Sequence, residues 1–128
     1  MEKYPIDNYY LTERKCIEMV TRCLRITCTN PPLAIPVTIT TAAGGISVAV
    51  ANPARLSILI QNVGTEPALV RLGGDPSAIA YNVILAADTG SKKGSGGSIL
   101  IGDFQGSIKA ITEANTTVLA VLEELSTV

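Results

Sequence analysis

The sequence predicts an all-β chain: a jelly-roll-like β-sandwich of about eight short strands, preceded by an N-terminal arm. Three observations carry that expectation. Hydrophobic residues make up 47% of the chain while aromatics are only 4%, so the apolar content is Ala, Val, Ile and Leu, much of it β-branched and suited to a pleated surface. Eleven Gly and seven Pro punctuate the 128 residues, and both residue types make turns and interrupt helices. From residue 36 onward, short apolar runs begin roughly 9 to 16 residues apart, the spacing of a sandwich or barrel.

The organisation changes once, which divides the chain into an arm over residues 1–35 and a sandwich over 36–128. Residues 1–29 are rich in charge and hold three of the four tyrosines, Tyr4, Tyr9 and Tyr10. Cys16, Val20, Cys23 and Thr27 recur at helical spacing, as do Ile17, Val20 and Leu24, which suits a short amphipathic helix over about residues 11–21. From Arg22 the pattern also alternates with period two, placing Leu24, Ile26 and Cys28 on one face of an extended segment. Both readings of the arm stand. Asn30-Pro31-Pro32 then breaks the chain.

The strands are expected at Pro36–Ala42, Ile46–Ala51, Leu56–Asn62, Ala68–Leu72, Asn82–Ala86, Ser98–Ile101, Ser107–Ile111 and Thr117–Glu123. Turn-formers separate them. Gly44-Gly45 suits a two-residue hairpin turn, Asn52-Pro53 a loop, and Gly73-Gly74-Asp75-Pro76 a longer one. Within the third strand Leu56, Ile58 and Ile60 share one face, and Ser57 and Gln61 the other. Val118–Leu122 is apolar on both faces. Such a strand is either central in its sheet or covered by another subunit, and the expectation is the second, with Val118 and Val121 as interface residues.

Composition excludes several functions. Ten basic residues face eleven acidic ones for a net charge of −1, so there is no basic excess to release counterions from nucleic acid. Mean hydropathy is high at +0.35, and residues 26–54 carry no charge. Pro31, Pro32, Pro36, Pro53 and Gly44-Gly45 nevertheless break that stretch too often for a membrane-spanning helix of about 20 apolar residues. It fits a core or a subunit interface better. No apolar run follows Met1-Glu2-Lys3-Tyr4-Pro5, so a signal peptide is not expected. Cys16, Cys23 and Cys28 match no zinc spacing, and there is no histidine; reduced thiols of a protein made in a bacterial cytoplasm are expected.

The same absence of histidine removes Ser-His-Asp and Cys-His nucleophiles. Asp75, Asp88, Asp103, Glu66 and Glu113 all adjoin turns or strand ends, where solvated carboxylates are ordinary. The run Gly90-Ser91-Lys92-Lys93-Gly94-Ser95-Gly96-Gly97-Ser98 lacks the Gly-Lys-Ser/Thr ending of a phosphate-binding loop and reads as a solvated loop. Neither an enzyme nor a cofactor is expected.

Residues Asn52-Pro53-Ala54-Arg55-Leu56-Ser57-Ile58-Leu59-Ile60-Gln61-Asn62-Val63-Gly64-Thr65-Glu66-Pro67, followed by Val70-Arg71-Leu72-Gly73, resemble a segment of tailed-phage structural proteins. There a short strand that opens on Arg and closes on Ile-Gln-Asn-x-Gly/Ser precedes a Val-x-Leu-Gly or Val-x-Phe-Gly strand. Leu85-Ala86-Ala87, Phe104-Gln105-Gly106-Ser107-Ile108-Lys109-Ala110 and Val118-Leu119-Ala120-Val121-Leu122-Glu123-Glu124 are similar to that family's ending. The resemblance covers roughly residues 50–125 and has no catalytic signature. It implies a virion protein such as a head decoration (cement) protein, a head-fibre base or a neck component, without choosing among them. The decoration role is the expectation, and the alternative is a head-fibre, neck or tail module that binds a receptor or host-surface glycan.

The residues of the motif suit structural work. Gln61-Asn62 can satisfy backbone groups in the turn into Gly64-Thr65, and Arg55 can reach a carboxylate on a neighbouring strand. Arg55, Glu66 and Arg71 are candidate contacts to a partner, although local turn stabilisation is the simpler role for such residues. The arm supplies further anchors in Tyr4, Tyr9, Tyr10 and Arg14, since aromatic and Arg side chains dominate interface energetics. The expected partners are other copies of the chain, in a homotrimer, and a major capsid or other virion protein. Nucleic acid and membrane are not expected partners.

Overall fold

Alternation with period two shapes every element of the fold, because successive strand residues point to opposite faces. The computed structural model describes residues 33–126, which beyond Leu33 belong to the unit Ala34–Val128. The expected helix or strand of residues 11–28, and Tyr4, Tyr9, Tyr10, Arg14 and the three cysteines, lie outside the described residues. Eight strands and no helix occur among those described: β1 (Ile35–Ile39), β2 (Ile46–Ala49), β3 (Arg55–Asn62), β4 (Ala68–Leu72), β5 (Val83–Leu85), β6 (Ser98–Gly102), β7 (Ile108–Ile111) and β8 (Thr117–Leu125). Each overlaps one expected strand, with ends shifted by a few residues at most.

The strands form two antiparallel sheets, ordered β1-β8-β3-β6 and β2-β7-β4-β5. Only β4 and β5 are sequence neighbours paired in one sheet; every other connection crosses between sheets. Gly44-Gly45 is such a crossing and not the expected hairpin turn. Gly44 (φ 88°) and Gly45 (φ 79°) adopt left-handed conformations open to glycine, and the Gly45 amide donates to the Ala42 carbonyl at 3.0 Å. The turn reverses the chain, but β1 pairs with β8 and β2 with β7. A glycine pair specifies a turn and cannot specify the partner of the strands beside it.

One core joins the two sheets. Ile39, Ile58, Ile60, Leu119 and Val121 come from the first sheet, and Val48, Ala68, Val70, Leu85, Ile108 and Ala110 from the second. Full burial of an aliphatic side chain of this kind contributes about 1.5–3 kcal/mol. Val37, Ile46, Leu72, Val83, Ile99, Ile101 and Phe104 pack around the margin.

Strand β8 is central in its sheet, hydrogen-bonded to β1 on one side and β3 on the other. One face of β8, with Leu119 and Val121, packs in the core, which accounts for half of its doubly apolar pattern without a second subunit. Val121, expected at an interface, is 6% exposed and faces the core. Val118 has the opposite parity and lies half-buried on the outward face.

Candidate functional site

Each end of β3 carries a fully buried polar side chain that stitches the two sheets together. At the start, Arg55 donates through Nε to Glu123 on β8 at 2.6 Å. Its Nη1 donates to the carbonyls of Phe104 (3.1 Å) and Gly106 (2.8 Å), and Nη2 to that of Val50. The guanidinium thus ties β8 to the loops that follow β2 and precede β7. A planar fork with five donors can serve partners in several directions at once, which an ammonium cannot.

At the other end, Asn62 donates through Nδ2 to the carbonyls of Glu66 (2.8 Å) and Leu85 (3.0 Å). Its Oδ1 accepts from the Gly64 amide (3.0 Å) and the Thr117 hydroxyl (2.7 Å). All four hydrogen-bonding positions of the carboxamide are filled. The backbone packs as closely: a Cβ at Gly64 would collide with the Thr117 hydroxyl and stand 2.5 Å from the Val118 nitrogen.

The glycine-lysine loop is built round a carboxylate. Asp88 Oδ1 accepts from the Gly90 amide (2.8 Å) and Oδ2 from the Gly94 amide (3.0 Å), while the Ser95 hydroxyl reaches Oδ1 at 3.3 Å. The Gly90 hydrogen bond is the largest influence holding Asp88 below the usual carboxylate range, with burial opposing it. Lys92 and Lys93 are left exposed at the loop's far end. On the second sheet, Lys109 pairs with Asp75 at 2.7 Å and its hydrogen bond lowers the Asp75 pKa. Arg71 donates to the Asp75 backbone carbonyl at 3.0 Å.

Arg55, Glu66 and Arg71, the motif residues expected at a partner contact, each make hydrogen bonds within the chain. Arg55 is 0% exposed, and its reach to a carboxylate on a neighbouring strand ends on Glu123 of the same chain, which removes it from the surface. Arg71 braces the loop at Asp75. Glu66 is half-buried, accepting at its carbonyl from Asn62 and at Oε2 from Asn115 (3.3 Å). Asp75 and Asp88 are likewise engaged on separate elements. Among the described residues no three His, Cys, Asp or Glu side chains come together where they could hold a metal ion, and no helix is long and apolar enough to cross a membrane.

What remains at the surface is the outward face of the β1-β8-β3-β6 sheet. Residues directly opposite on neighbouring strands share a face, so the register defines it. Leu100, Leu59 and Leu122 form one row. Ser98, Gln61, Ala120 and Pro36 form the next, and Val118 and Thr38 lie in the row after. None of these is charged. The first charged residue on the face is Glu124, buried at 6% and accepting from the Ser57 hydroxyl at 2.7 Å. Leu100 is 52% exposed. The opposite sheet presents Arg71 and Lys109 outward beside the row Ile84, Leu69 and Ile111.

Sequence reasoning singled out Val118, which lies on this face, and did not join Leu59, Leu100 and Leu122 as one row. Their alternation with core residues was legible; their adjacency depends on the pairing of β6, β3 and β8. It also missed the role of Asp88, although Asp-x-Gly is a signature of a side chain closing its own turn.

Compared with known proteins, the chain matches no family model, no curated protein sequence and no solved structure.

Proposed function

We propose that the chain is a structural protein of a bacteriophage virion, a decoration or cement protein that stabilises an assembled shell by bridging its subunits. The observation that carries this reading is the leucine row Leu100-Leu59-Leu122 on the outer face of the β1-β8-β3-β6 sheet, whose one charged residue among those named, Glu124, is buried. A sheet face turned to water usually alternates apolar-in with polar-out, and an outward leucine row set among the uncharged Ser98, Gln61 and Thr38 suits a surface that meets another macromolecule. The resemblance over residues 50–125 supports a virion as the setting. The strand orders support a jelly roll: β1/β8, β2/β7, β3/β6 and β4/β5 are antiparallel pairs nested one inside the next, as when a single long hairpin is wrapped into two sheets. That architecture is used by viral capsid domains.

The mechanism is mass action. A protein that binds only the closed lattice stabilises that lattice, and many copies add their effects. A contact burying about 1,600 Å² in total reaches micromolar affinity or better. Particles depleted of the protein should then release DNA at lower temperature than complete ones, and adding the protein back should restore resistance. Equal release temperatures, with the protein found only on tails, would refute the cement role.

A second reading, a head-fibre, neck or tail module that binds a host-surface glycan, is favoured by one feature. The Asp88-braced loop presents Lys92 and Lys93 to solvent, and jelly rolls also serve as lectins. Binding to anionic glycans that Lys92→Glu and Lys93→Glu abolish would select it.

A further inference from the structure

We infer that β6 is a self-pairing edge, through which two copies of this chain join their β1-β8-β3-β6 sheets about a two-fold axis at Leu100. An open edge strand invites pairing unless the sequence blocks it with proline, charge, a bulge or brevity. Among the described strands, three of the four sheet edges are blocked. β1 contains Pro36, which has no N–H to offer; β2 is bulged between Ser47 and Ala49; β5 is three residues long. Strand β6, Ser98-Ile99-Leu100-Ile101-Gly102, has five residues, none charged and no proline, and its register with β3 runs without a bulge.

The hydrogen bonds identify which of its backbone groups are open. Asn62 N–H donates to the Gly97 carbonyl and Asp103 N–H to the Leu56 carbonyl. Bonded pairs alternate along an antiparallel ladder, so Ile99 and Ile101 also bond to β3. Ser98, Leu100 and Gly102 turn their N–H and C=O groups away from it. All three residues are exposed, and no described strand pairs with that side.

This edge is complementary to itself. Run antiparallel about Leu100, the strand sets Leu100 opposite its own copy, Ile99 opposite Ile101, and Ser98 opposite Gly102. The open groups then meet as hydrogen-bonded pairs, giving about six backbone bonds. The leucine row Leu122-Leu59-Leu100 continues into its copy, and no like charges oppose each other. At the ends, Asp103 falls opposite Gly97, so the acidic side chain meets no like charge there. Asp103 itself leaves the ladder at φ 60°, which ends the paired segment. A two-fold contact departs from the threefold association expected from the sequence alone, and it stands independently of the virion reading.

Sedimentation velocity over a concentration series, with amide exchange read by NMR, tests the contact on the full chain. The expected result is a dimer at tens of micromolar, roughly where modest interfaces close, with the Ser98, Leu100 and Gly102 amides protected. Leu100→Lys places like charges across the axis, and Leu100→Pro removes an N–H that β3 does not use. Each should weaken the dimer by at least about tenfold and expose those amides, with the circular dichroism unchanged. Where the proline variant misfolds, Leu100→Lys decides, because its side chain stays on the solvent face. A wild-type monomer throughout the series overturns the inference, as does an oligomer that the substitutions leave intact.

Discussion

Asn62 and Thr117 stand 55 positions apart in the chain and share a 2.7 Å hydrogen bond, the Thr117 hydroxyl donating to the carboxamide oxygen. The same carboxamide donates to two carbonyls beside the second sheet, so one side chain closes this end of the sandwich. Asn62→Asp keeps the shape and replaces both donors with an oxygen facing two carbonyls. A buried group deprived of its bonds costs about 1–3 kcal/mol, and more when charged. The variant should lose at least about 3 kcal/mol in urea titration, whereas Thr117→Val should lose roughly 1 to 2.

Gly64 tests the close approach at the same corner. Gly64→Ala drives a methyl group into the Thr117 hydroxyl and the Val118 backbone, and backbone cannot yield as a flexible side chain does. The expected loss is about 2–3 kcal/mol, in the upper range for overpacking. Combined with Thr117→Ser, which leaves the hydroxyl in place, the loss should persist. Relief in that double variant would mean that the clash is with the threonine methyl group.

Arg55 should matter more to stability than its partner Glu123. Arg55→Met strands one carboxylate and three carbonyls, and breaking a buried pair by removing one member costs about 3–5 kcal/mol. For a domain of this size that lowers the melting temperature by roughly 15 °C or more. Arg55→Lys keeps the charge but not the fork and should fall between the methionine variant and wild type. Glu123 is 30% exposed and a glutamine there still offers Nε an acceptor, so Glu123→Gln, which removes only the counter-charge of the buried guanidinium, should cost less, about 1–3 kcal/mol. Calorimetry giving the reverse order would show that the carbonyl contacts contribute little.

Stability should fall in acid through Asp88. Its folded pKa lies below the unfolded reference of 3.8, so the folded state holds this proton less readily than the unfolded chain. The contribution is therefore complete above the reference value and is lost as pH drops through the lower folded value. Asp75, lowered by Lys109, titrates in the same direction. Stability of wild type and Asp88→Asn, each in an Asp75→Asn background, should differ by a constant amount above about pH 5 and converge below 3.8. A gap that stays constant down to pH 2 would mean that Asp88 is not held by the Gly90 and Gly94 amides.

The amino-acid pattern alone determined the local features of this protein. Eight β-branched runs set off by glycine and proline became eight strands, because period-two alternation and turn chemistry act over a few neighbouring residues. Asn62 could be assigned to the turn into Gly64 for the same reason, since its partner lies two positions away. Only the tertiary structure decided what depends on partners far along the chain. Nothing near Gly44-Gly45 says that the strands beside it belong to different sheets. Nothing near Val121 says that it, and not Val118, faces the core, because an apolar run on both faces has no marked side. Arg55 could be seen to need a carboxylate, but Glu123 was selected by the pairing of β3 with β8, 68 positions apart. Whether β6 lies at the edge of its sheet or inside it is likewise a matter of pairing, so an unprotected apolar strand becomes an interaction surface only once the fold leaves one side of it open.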